Sequence, residues 1–326
     1  MTEILSAYDL DISLPTGGVL STLLPGSLRS INILQGITLG IGAGKTLGLV
    51  GESGSGKTTL AKAMLGLQPI SGGRLLFQGK PLDTPRAFAD LRRATAMMFQ
   101  DPVASLSPRM RVGALLTEPF VIHRIAMPNR AARAAELLEQ VGLPPAMAAR
   151  YPHELSGGQA RRVCVARALA LNPALVIADE PTAGLDVSVQ GEILNLMADL
   201  KTRLGLSFLV ISHNLSMVRH VTDRIAILYL GRLVEIGPTS AVFAKPLHPY
   251  TQSLIASEPQ PDPRKRRADL GIKGEIPSVL RRPKGCEFHT RCTIAVERCH
   301  HEPPKLRELA PQRFVRCHLA PPPEPA

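Results

Sequence analysis

The feature that most constrains this chain is a glycine-rich octapeptide, GESGSGKT at residues 51–58, which fits every fixed position of the pattern G-x-x-x-x-G-K-[ST]. The apolar run Thr46–Val50 before it predicts a buried strand, and the apolar residues of Thr58–Leu67 recur at helical spacing. Glycines let the backbone curl until successive N–H groups face an anion, and the helix adds the positive end of its dipole. Strand, loop and helix together predict a site for the phosphates of a nucleotide.

Each position of this loop has an expected role in holding ATP and Mg²⁺. Lys57 is expected to bridge the β- and γ-phosphates, and Thr58 to bind Mg²⁺. The residues predicted to contact ATP are Gly51, Ser53, Gly54, Ser55, Gly56, Lys57, Thr58 and Thr59.

A second apolar run, Leu175–Ala178, is followed directly by two acids, Asp179 and Glu180. A buried strand would deliver Asp179 to the Mg²⁺ ion at its carboxyl end, and Glu180 could polarise the attacking water. Two exposed acids at the end of a strand are the plainer alternative, and the phosphate loop on the same chain makes that alternative weak.

The pentapeptide LSGGQ at residues 155–159 precedes a predicted helix, Ala160–Leu171. Serine and two glycines at a helix start can bind an anion, although an ordinary helix cap has the same composition. On the same chain as the loop and the two acids, this pentapeptide resembles the signature of the ABC ATPases. Three further segments are similar to family motifs: Gln100 after an apolar run resembles the Q-loop glutamine, Ser212-His213 after the predicted strand Ser207–Ile211 resembles the switch histidine, and Gly184-Leu185-Asp186 resembles the D-loop.

The resemblance implies roles for these residues. Glu180, His213 and Gln100 would serve catalysis, and Thr58, Gln100 and Asp179 would hold Mg²⁺. Asp186 would communicate between subunits. The residues expected to act on the ATP of a partner subunit are Ser156, Gly157, Gly158 and Gln159. With one copy of each motif, the chain would have to dimerise to complete a catalytic site.

Alternating strands and helices predict an α/β fold with a parallel sheet, and the resemblance implies a P-loop, RecA-like ABC ATPase domain over residues 1–245. A helical subdomain is expected at about residues 112–170, and a small antiparallel β region near the N-terminus. Arg224–Ile236 predicts a hairpin that turns at Gly231-Arg232. Residues 246–326 are predicted to form a small, cysteine-bearing C-terminal extension.

Two positions depart from the family pattern. The segment Leu28–Gln35 contains no aromatic residue to stack on adenine, so Ile31 or Ile33 would have to offer apolar contact instead. The D-loop has Ala183-Gly184 where the family commonly has Ser-Ala, which leaves the acid Asp186 in place.

Four of the five cysteines are clustered near the C-terminus with the spacing C-x5-C-x6-C-x17-C: Cys286, Cys292, Cys299 and Cys317. The spacing is not that of zinc fingers, yet four thiolates can hold Zn²⁺ or a four-iron cluster; four unrelated thiols are the alternative. The segments Gly274–Ser278, Gly285–Cys292 and His248–Thr251 resemble the C-terminal extension of oligopeptide and dipeptide importer ATPases. The resemblance implies a 4Fe–4S cluster, with zinc as the alternative, whereas Cys164 is predicted to be a core residue.

The chain carries a net charge of +11, and residues 245–326 hold 15 Lys/Arg against 9 Asp/Glu. A basic tail can attract nucleic acid or anionic lipid, and a solvated basic surface is the plainer interpretation. No apolar run is long enough to span a membrane, and no signal peptide opens the sequence. These observations predict a soluble intracellular protein that partners hold at a membrane.

The resemblance thus implies the ATP-hydrolysing subunit of a bacterial importer of oligopeptides or dipeptides, at the cytoplasmic face of the inner membrane. Its expected partners are two transmembrane permease subunits and a second related ATPase, with a heterodimer favoured over a homodimer. An extracytoplasmic substrate-binding protein would be an indirect partner, and no nucleic acid is expected. The alternatives are a nucleic-acid-associated ABC ATPase and the same type of subunit serving another substrate, such as nickel.

Overall fold

A computed structural model describes residues 2–15, 30–99, 101, 104–258 and 274–321 of the chain. These residues form two compact units. The first unit is built mainly from Leu82–Ile211, and the second from Leu5–Gly40, Leu47–Pro81 and the part of the chain that follows Ser212.

The described residues contain strands and helices throughout. In chain order, the strands are β1 (Glu3–Pro15), β2 (Ser30–Gly42), β3 (Thr46–Val50), β4 (Gly72–Phe77), β5 (Lys80–Pro81), β6 (Thr95–Met98), β7 (Leu175–Asp179), β8 (Ser207–Ser212), β9 (Arg224–Tyr229), β10 (Arg232–Pro238), β11 (Arg307–Ala310) and β12 (Arg313–Val315). The α-helices are α1 (Lys57–Met64), α2 (Pro85–Ala94), α3 (Val112–Ile122), α4 (Arg130–Gln140), α5 (Gly157–Leu169), α6 (Val187–Leu204), α7 (Leu215–Val221), α8 (Thr239–Ala244), α9 (Pro249–Ala256) and α10 (Glu297–His301).

The first unit is built on three parallel strands in the order β8-β7-β6. Every residue of β7 and β8 is buried, as expected for parallel strands that are covered on both faces and therefore read as continuous apolar runs. The stretch predicted to be mostly helical, residues 112–170, contains α3, α4 and α5 with two short 3₁₀ turns, Pro145–Ala149 and Pro152–Glu154.

The second unit contains two groups of strands. An antiparallel sheet of order β2-β1-β4-β5 forms the β region expected near the N-terminus. A second group has the order β11-β12-β10-β9-β3, in which β3 pairs with β9 in parallel and the other neighbours are antiparallel. All five residues of β3 are buried, so this strand fixes the start of the glycine-rich loop in the core. The α/β class predicted from the sequence is therefore confirmed.

The hairpin of β9 and β10 turns one residue earlier than predicted. Arg232 pairs with Tyr229, so the two turn residues are Leu230 and Gly231, with φ angles of 42° and 75°. Two positive φ angles are typical of the turns that join tightly connected antiparallel strands. Glycine is required at 231 because a Cβ there would lie 1.8 Å from the carbonyl oxygen of Ile33.

Several arginines of the basic tail are turned inward, which corrects the expectation of a solvated basic surface. Arg313 and Arg316 are buried: Arg313 pairs with Glu235 at 2.8 Å, and Arg316 donates to the carbonyl of Leu233 at 2.8 Å. Arg282 donates to the carbonyls of Leu230 and Asn32. Part of the tail's positive charge is therefore paired with the Glu235 carboxylate and with backbone carbonyls, and does not face solvent.

Within the described part of the chain, no helix has the length and apolar character needed to cross a membrane.

Candidate functional site

The glycine-rich loop of the second unit is shaped by close packing around its glycines. A Cβ at Gly51 would lie 2.2 Å from the carbonyl oxygen of Leu228, and one at Gly56 would lie 2.6 Å from a methyl group of Leu34. Gly54 and Gly56 have φ angles of 77° and 104°, a region that side chains other than glycine rarely adopt. Glycine is therefore required at these three positions, either because a side chain would collide with its neighbours or because the φ angle is positive.

Donors of the loop are arranged for an anion. The N-terminus of α1 follows Gly56 and has no side-chain cap, and the start of a helix is a favourable place for an anion. The ammonium group of Lys57 donates to the carbonyls of Gly51 and Glu52 at 2.7 and 2.9 Å, which folds it back over the loop. The hydroxyl of Ser55 is buried and has no hydrogen-bond partner in the structure. This set of donors fits the phosphates of ATP.

The remaining predicted loop residues lie at the surface. Ser53 and Thr58 are exposed, and Thr59 is half-buried on the first turn of α1. His213, the predicted switch residue, is exposed in the same unit, immediately before Asn214, whose side chain caps α7 by accepting from the N–H of Met217 at 3.0 Å. A polar residue that follows a buried strand is thereby presented to solvent.

In the first unit, β7 delivers the two acids as predicted. Asp179 is the last residue of the strand and is buried, while Glu180 is half-buried. Glu180 has a φ of 51°, and its N–H donates to the carbonyl of Ile211 on β8 at 2.9 Å. A positive φ in a residue other than glycine costs free energy and persists only where surrounding contacts hold it, here the hydrogen bond to Ile211.

The signature pentapeptide forms the start of α5. Ser156 is the N-cap: its hydroxyl accepts from the N–H of Gln159 at 3.3 Å, while the Gln159 side chain accepts from the N–H of Ser156 at 3.0 Å. A Cβ on Gly157 would have no neighbour within 4 Å, and Ser156 is exposed. The helix start is thus a capping box on an exposed, polar surface, which confirms the cap; anion binding by these residues stays a prediction.

Arg161 is a residue of this unit that the sequence motifs did not identify. It lies one half-turn beyond Gln159, is buried, and donates to the carbonyls of Pro181 and Ala183, the latter at 2.9 Å. Burial lowers the pKa of its guanidinium group. The signature helix is thereby tied to the turn that follows Glu180. No local signal distinguishes Arg161 from Arg162 and Arg167 on the same helix.

The D-loop acid Asp186 is the N-cap of α6. Its side chain accepts from the N–H of Val189 at 2.9 Å, and Gly184 before it has a φ of 71°. The glycine that departs from the family pattern therefore occupies a left-handed position. Any other residue at position 184 would have to adopt this unfavourable positive φ. Its side chain would not be crowded, since a Cβ there would have no neighbour within 4 Å.

Two predictions concern segments that are only partly described. Gln100 lies outside the described residues; Phe99 before it is half exposed. In the segment expected near adenine, Ile31 and Ile33 are half-buried, and a Cβ on Gly56 would lie 3.7 Å from a methyl group of Ile33. Ile33 therefore borders the phosphate loop, and its apolar contact with adenine stays a prediction.

The four clustered cysteines lie in one small module, and none forms a disulfide. The N–H of Cys286 donates to the carbonyl of Cys299 at 2.8 Å, and Cys299 and Cys317 are buried. Burial raises the pKa of Cys286 to about 12 and also raises the pKa of Cys292 and Cys317.

These thiols are not arranged as a metal site. Among the described residues, no three His, Cys, Asp or Glu side chains are placed so that they could hold one metal ion. The expected iron–sulfur or zinc site is therefore not supported by the structure, although the four cysteines share one module. Cys164, predicted to be a core residue, is buried on α5, and burial raises its pKa to about 11.

Two family profiles match this chain. The one described as "ABC transporter" covers residues 34–183, and the one described as "Oligopeptide/dipeptide transporter, C-terminal region" covers residues 234–299. Both segments contain motifs discussed above.

Individual proteins resemble the chain over most of its length. Oligopeptide transport ATP-binding protein AppF of Bacillus subtilis is 43% identical over 92% of this chain and 93% of its own length. "Probable peptide ABC transporter ATP-binding protein y4tS" of Sinorhizobium fredii is 45% identical over 90% of this chain and 84% of its own length. Among solved structures, the dimeric post-hydrolysis ATP-binding cassette MJ0796 with ADP and Pi has a TM-score of 0.62 and 26% identity, covering 72% of this chain and 98% of that one.

Proposed function

Since this chain belongs to the ABC transporter ATP-binding proteins of the oligopeptide/dipeptide type, we propose that it hydrolyses ATP to energise the import of peptides. The observation that carries the proposal is the presence, on one chain, of the phosphate loop and the C-terminal oligopeptide/dipeptide region, with 43–45% identity to peptide transport ATP-binding proteins over 90% or more of its length. The relatives favour this function over a nucleic-acid ATPase and over import of another substrate such as nickel.

The proposed chemistry rests on position and charge. ATP supplies the phosphoryl group, and Mg²⁺, when bound, neutralises charge on its β- and γ-phosphates. Loop N–H groups and Lys57 bind the phosphates, and Thr58 and Asp179 are the proposed Mg²⁺ ligands, with Gln100 as a third. Glu180 accepts a proton from the attacking water, and His213 contacts the γ-phosphate.

We propose that the active form pairs this chain with a second ATPase subunit. The chain has one phosphate loop and one signature pentapeptide, and the exposed start of α5 leaves Ser156 and Gly157 accessible to a partner's nucleotide. The related cassette MJ0796 was solved as a dimer with ADP and Pi. A related but different ATPase is the favoured partner, in keeping with the resemblance to peptide importers.

An apolar surface on the first unit supports docking to membrane permease subunits. Phe99, Val121 and Ile122 are exposed by 50, 54 and 64%. Beside Phe99 lies a cavity of about 200 Å³, whose lining includes Met97, Pro119 and His123. Exposed apolar groups next to a groove are typical of a protein contact. We propose that two permease subunits bind here at the cytoplasmic face of the inner membrane, with a substrate-binding protein acting on the outer side.

The test is a mild-detergent purification of the tagged full chain from its native membranes, with partners identified by mass spectrometry and ATPase activity measured on the complex. Two multi-span proteins and a second ATPase are expected. Recovery of ribosomes or DNA-associated proteins in their place would overturn the transport function and leave the ATPase assignment intact. Binding of nickel rather than peptide by the co-encoded binding protein would overturn the substrate class alone.

We propose separately that the four-cysteine module can take up a 4Fe–4S cluster, with zinc as the alternative. The support is chemical: four free thiols lie within one module. The arrangement of side chains in the structure is not itself a metal site. Binding would require the thiols to lose their protons, and burial raises the pKa of Cys286, Cys292 and Cys317. Metal analysis of anaerobically purified protein tests this: iron or zinc should be lost in Cys299→Ser and retained in Cys164→Ser, and absence of both metals from the wild type would refute it.

A further inference from the structure

A buried ion pair joins the phosphate loop to the C-terminal module. The guanidinium group of Arg291 donates from Nη1 and Nη2 to the two carboxylate oxygens of Glu52, at 2.7 and 3.0 Å. The Arg291 side chain is 4% exposed and that of Glu52 21%. Two parallel hydrogen bonds of this kind fix orientation as well as charge. Glu52 is the second residue of the loop, and Arg291 lies 239 residues later in the chain.

Glu52 is held at its backbone as well. Its N–H donates to the phenol oxygen of Tyr250 at 3.0 Å, and Tyr250 is fully buried. The ring of Tyr250 packs against those of Tyr229 and Phe288, with centroids 4.7 and 5.4 Å apart, and the Arg291 guanidinium lies 5.9 Å from the centroid of Tyr229. The backbone and the carboxylate of one loop residue are thus anchored by Tyr250 and Arg291.

Glu52 raises an electrostatic problem for an anion-binding loop. The loop binds phosphates through N–H groups and the charge of Lys57, whereas a carboxylate within it repels them. Because the Glu52 side chain is only 21% exposed, this repulsion is screened less than at an open surface. A paired Glu52 contributes little net charge, and an unpaired one would oppose ATP binding.

We propose that Arg291 is a positioning residue for ATP: from the C-terminal module it pairs with Glu52 and neutralises the carboxylate that would otherwise repel the phosphates. This inference rests on the proposed function, because it takes Gly51–Thr58 as the ATP site. It gives the C-terminal region a direct task in nucleotide binding, in addition to any contact with other subunits.

The test compares MgATP dissociation constants of the purified full chain and three variants, measured by titration. Arg291→Ala should weaken MgATP binding on the order of tenfold, the size expected for one uncompensated charge near bound phosphates in a partly shielded site. Glu52→Gln should bind MgATP at least as tightly as the wild type, since it removes the repelling charge. The double variant Glu52→Gln/Arg291→Ala should recover to within about threefold of the wild type.

Recovery of MgATP binding in the double variant distinguishes the effect of the unpaired Glu52 charge from an effect of altered loop shape. Both Arg291→Ala and the double variant lose the ion pair, so a loss of loop shape alone would weaken them equally. Added salt should shrink the defect of Arg291→Ala and leave the double variant unchanged. Arg298→Ala is the matched control: Arg298 lies in the same module, in an exposed pair with Glu302, and its removal should not alter MgATP binding.

Three results would overturn the inference. Unchanged MgATP binding in Arg291→Ala would show that the pair has no effect on the site. Equal weakening in Arg291→Ala and in the double variant, with melting temperatures lowered alike, would show a structural role only. Absence of MgATP binding in the wild type, where Lys57→Ala serves as the non-binding reference, would overturn the proposed ATP site and this inference together.

Discussion

Glu180 has a φ of 51°, a conformation that costs about 1–3 kcal/mol in a residue other than glycine. The chain adopts this conformation directly after the buried Asp179. In the proposed mechanism, Glu180 is the residue that accepts a proton from the attacking water.

We expect Glu180→Gln to lower ATP turnover by about 10²-fold or more, because an amide cannot accept a proton from water. MgATP binding should be retained, since the phosphate loop is untouched. Steady-state phosphate release and nucleotide titration measure the two effects. Glu192→Gln on α6 is the control, because Glu192 is an exposed carboxylate paired with Arg162. Near-normal turnover in Glu180→Gln would contradict the assigned role.

His248 makes a residue-scale prediction about pH. Burial lowers its pKa to about 3, from 6.5 in an unfolded chain, and its Nδ1 accepts from the N–H of Tyr250 at 3.0 Å. Between these pH values the unfolded chain binds a proton that the folded chain does not. The stability linked to His248 is therefore complete above about pH 6.5 and is lost progressively as the pH falls toward 3.

His248→Asn keeps an acceptor at this helix cap and removes the titration. Between pH 7 and pH 5, the wild type should lose about 2 kcal/mol more unfolding free energy than the variant. Urea unfolding at the two pH values measures the difference. Equal losses in both proteins would show that His248 does not titrate in this way.

Among the elements, α5 has two roles that depend on its length and position. Its first turn presents the signature pentapeptide, and Arg161 on the second turn holds the carbonyls of Pro181 and Ala183 after β7. One helix thus fixes the position of the turn that begins at Glu180.

Arg161→Lys should lower ATP turnover on the order of tenfold, because lysine cannot hold two carbonyls at once and a small misplacement slows a positioned reaction. MgATP affinity should change little. Arg162→Lys is the matched control, since its partners are the Val141 carbonyl and the exposed Glu192. A turnover equal to that of the control would remove Arg161 from the catalytic arrangement.

At the scale of the whole chain, the C-terminal residues complete the second unit. Strand β12 pairs with β10, and Arg313 pairs with Glu235, which is fully buried and also accepts from the N–H groups of Leu247 and His248. These contacts give the extension a structural role. The predicted boundary between residues 245 and 246 stays a prediction.

Arg313→Met should lower the unfolding free energy by about 3–5 kcal/mol, because it leaves the carboxylate of Glu235 buried without its cation. The double variant Glu235→Gln/Arg313→Met should be less destabilised, since glutamine carries no charge and can still accept from the backbone. Chemical unfolding of the two variants and the wild type measures this. Equal destabilisation of both variants would show that the buried charge is not the cause.

The sequence by itself determined the α/β class, the buried strands and the nucleotide-binding motifs, because these depend on neighbouring residues. A phosphate loop needs its glycines and lysine at fixed spacing, and buried strands such as Ser207–Ile211 are visible as apolar runs. The hairpin was recognised for the same reason, although its turn lies at Leu230-Gly231, one residue earlier than predicted.

Only the tertiary structure decided which distant side chains meet. The pair of Glu52 and Arg291 spans 239 residues, and no local pattern distinguishes Arg291 from the other arginines of a basic tail. For the same reason the tail was expected to be solvated, whereas Arg313 and Arg316 are buried. Cysteine spacing likewise showed that four thiols are available, but the directions of their side chains depend on how the module packs. Partners far apart in sequence are chosen by burial and charge in three dimensions, which a linear pattern does not contain.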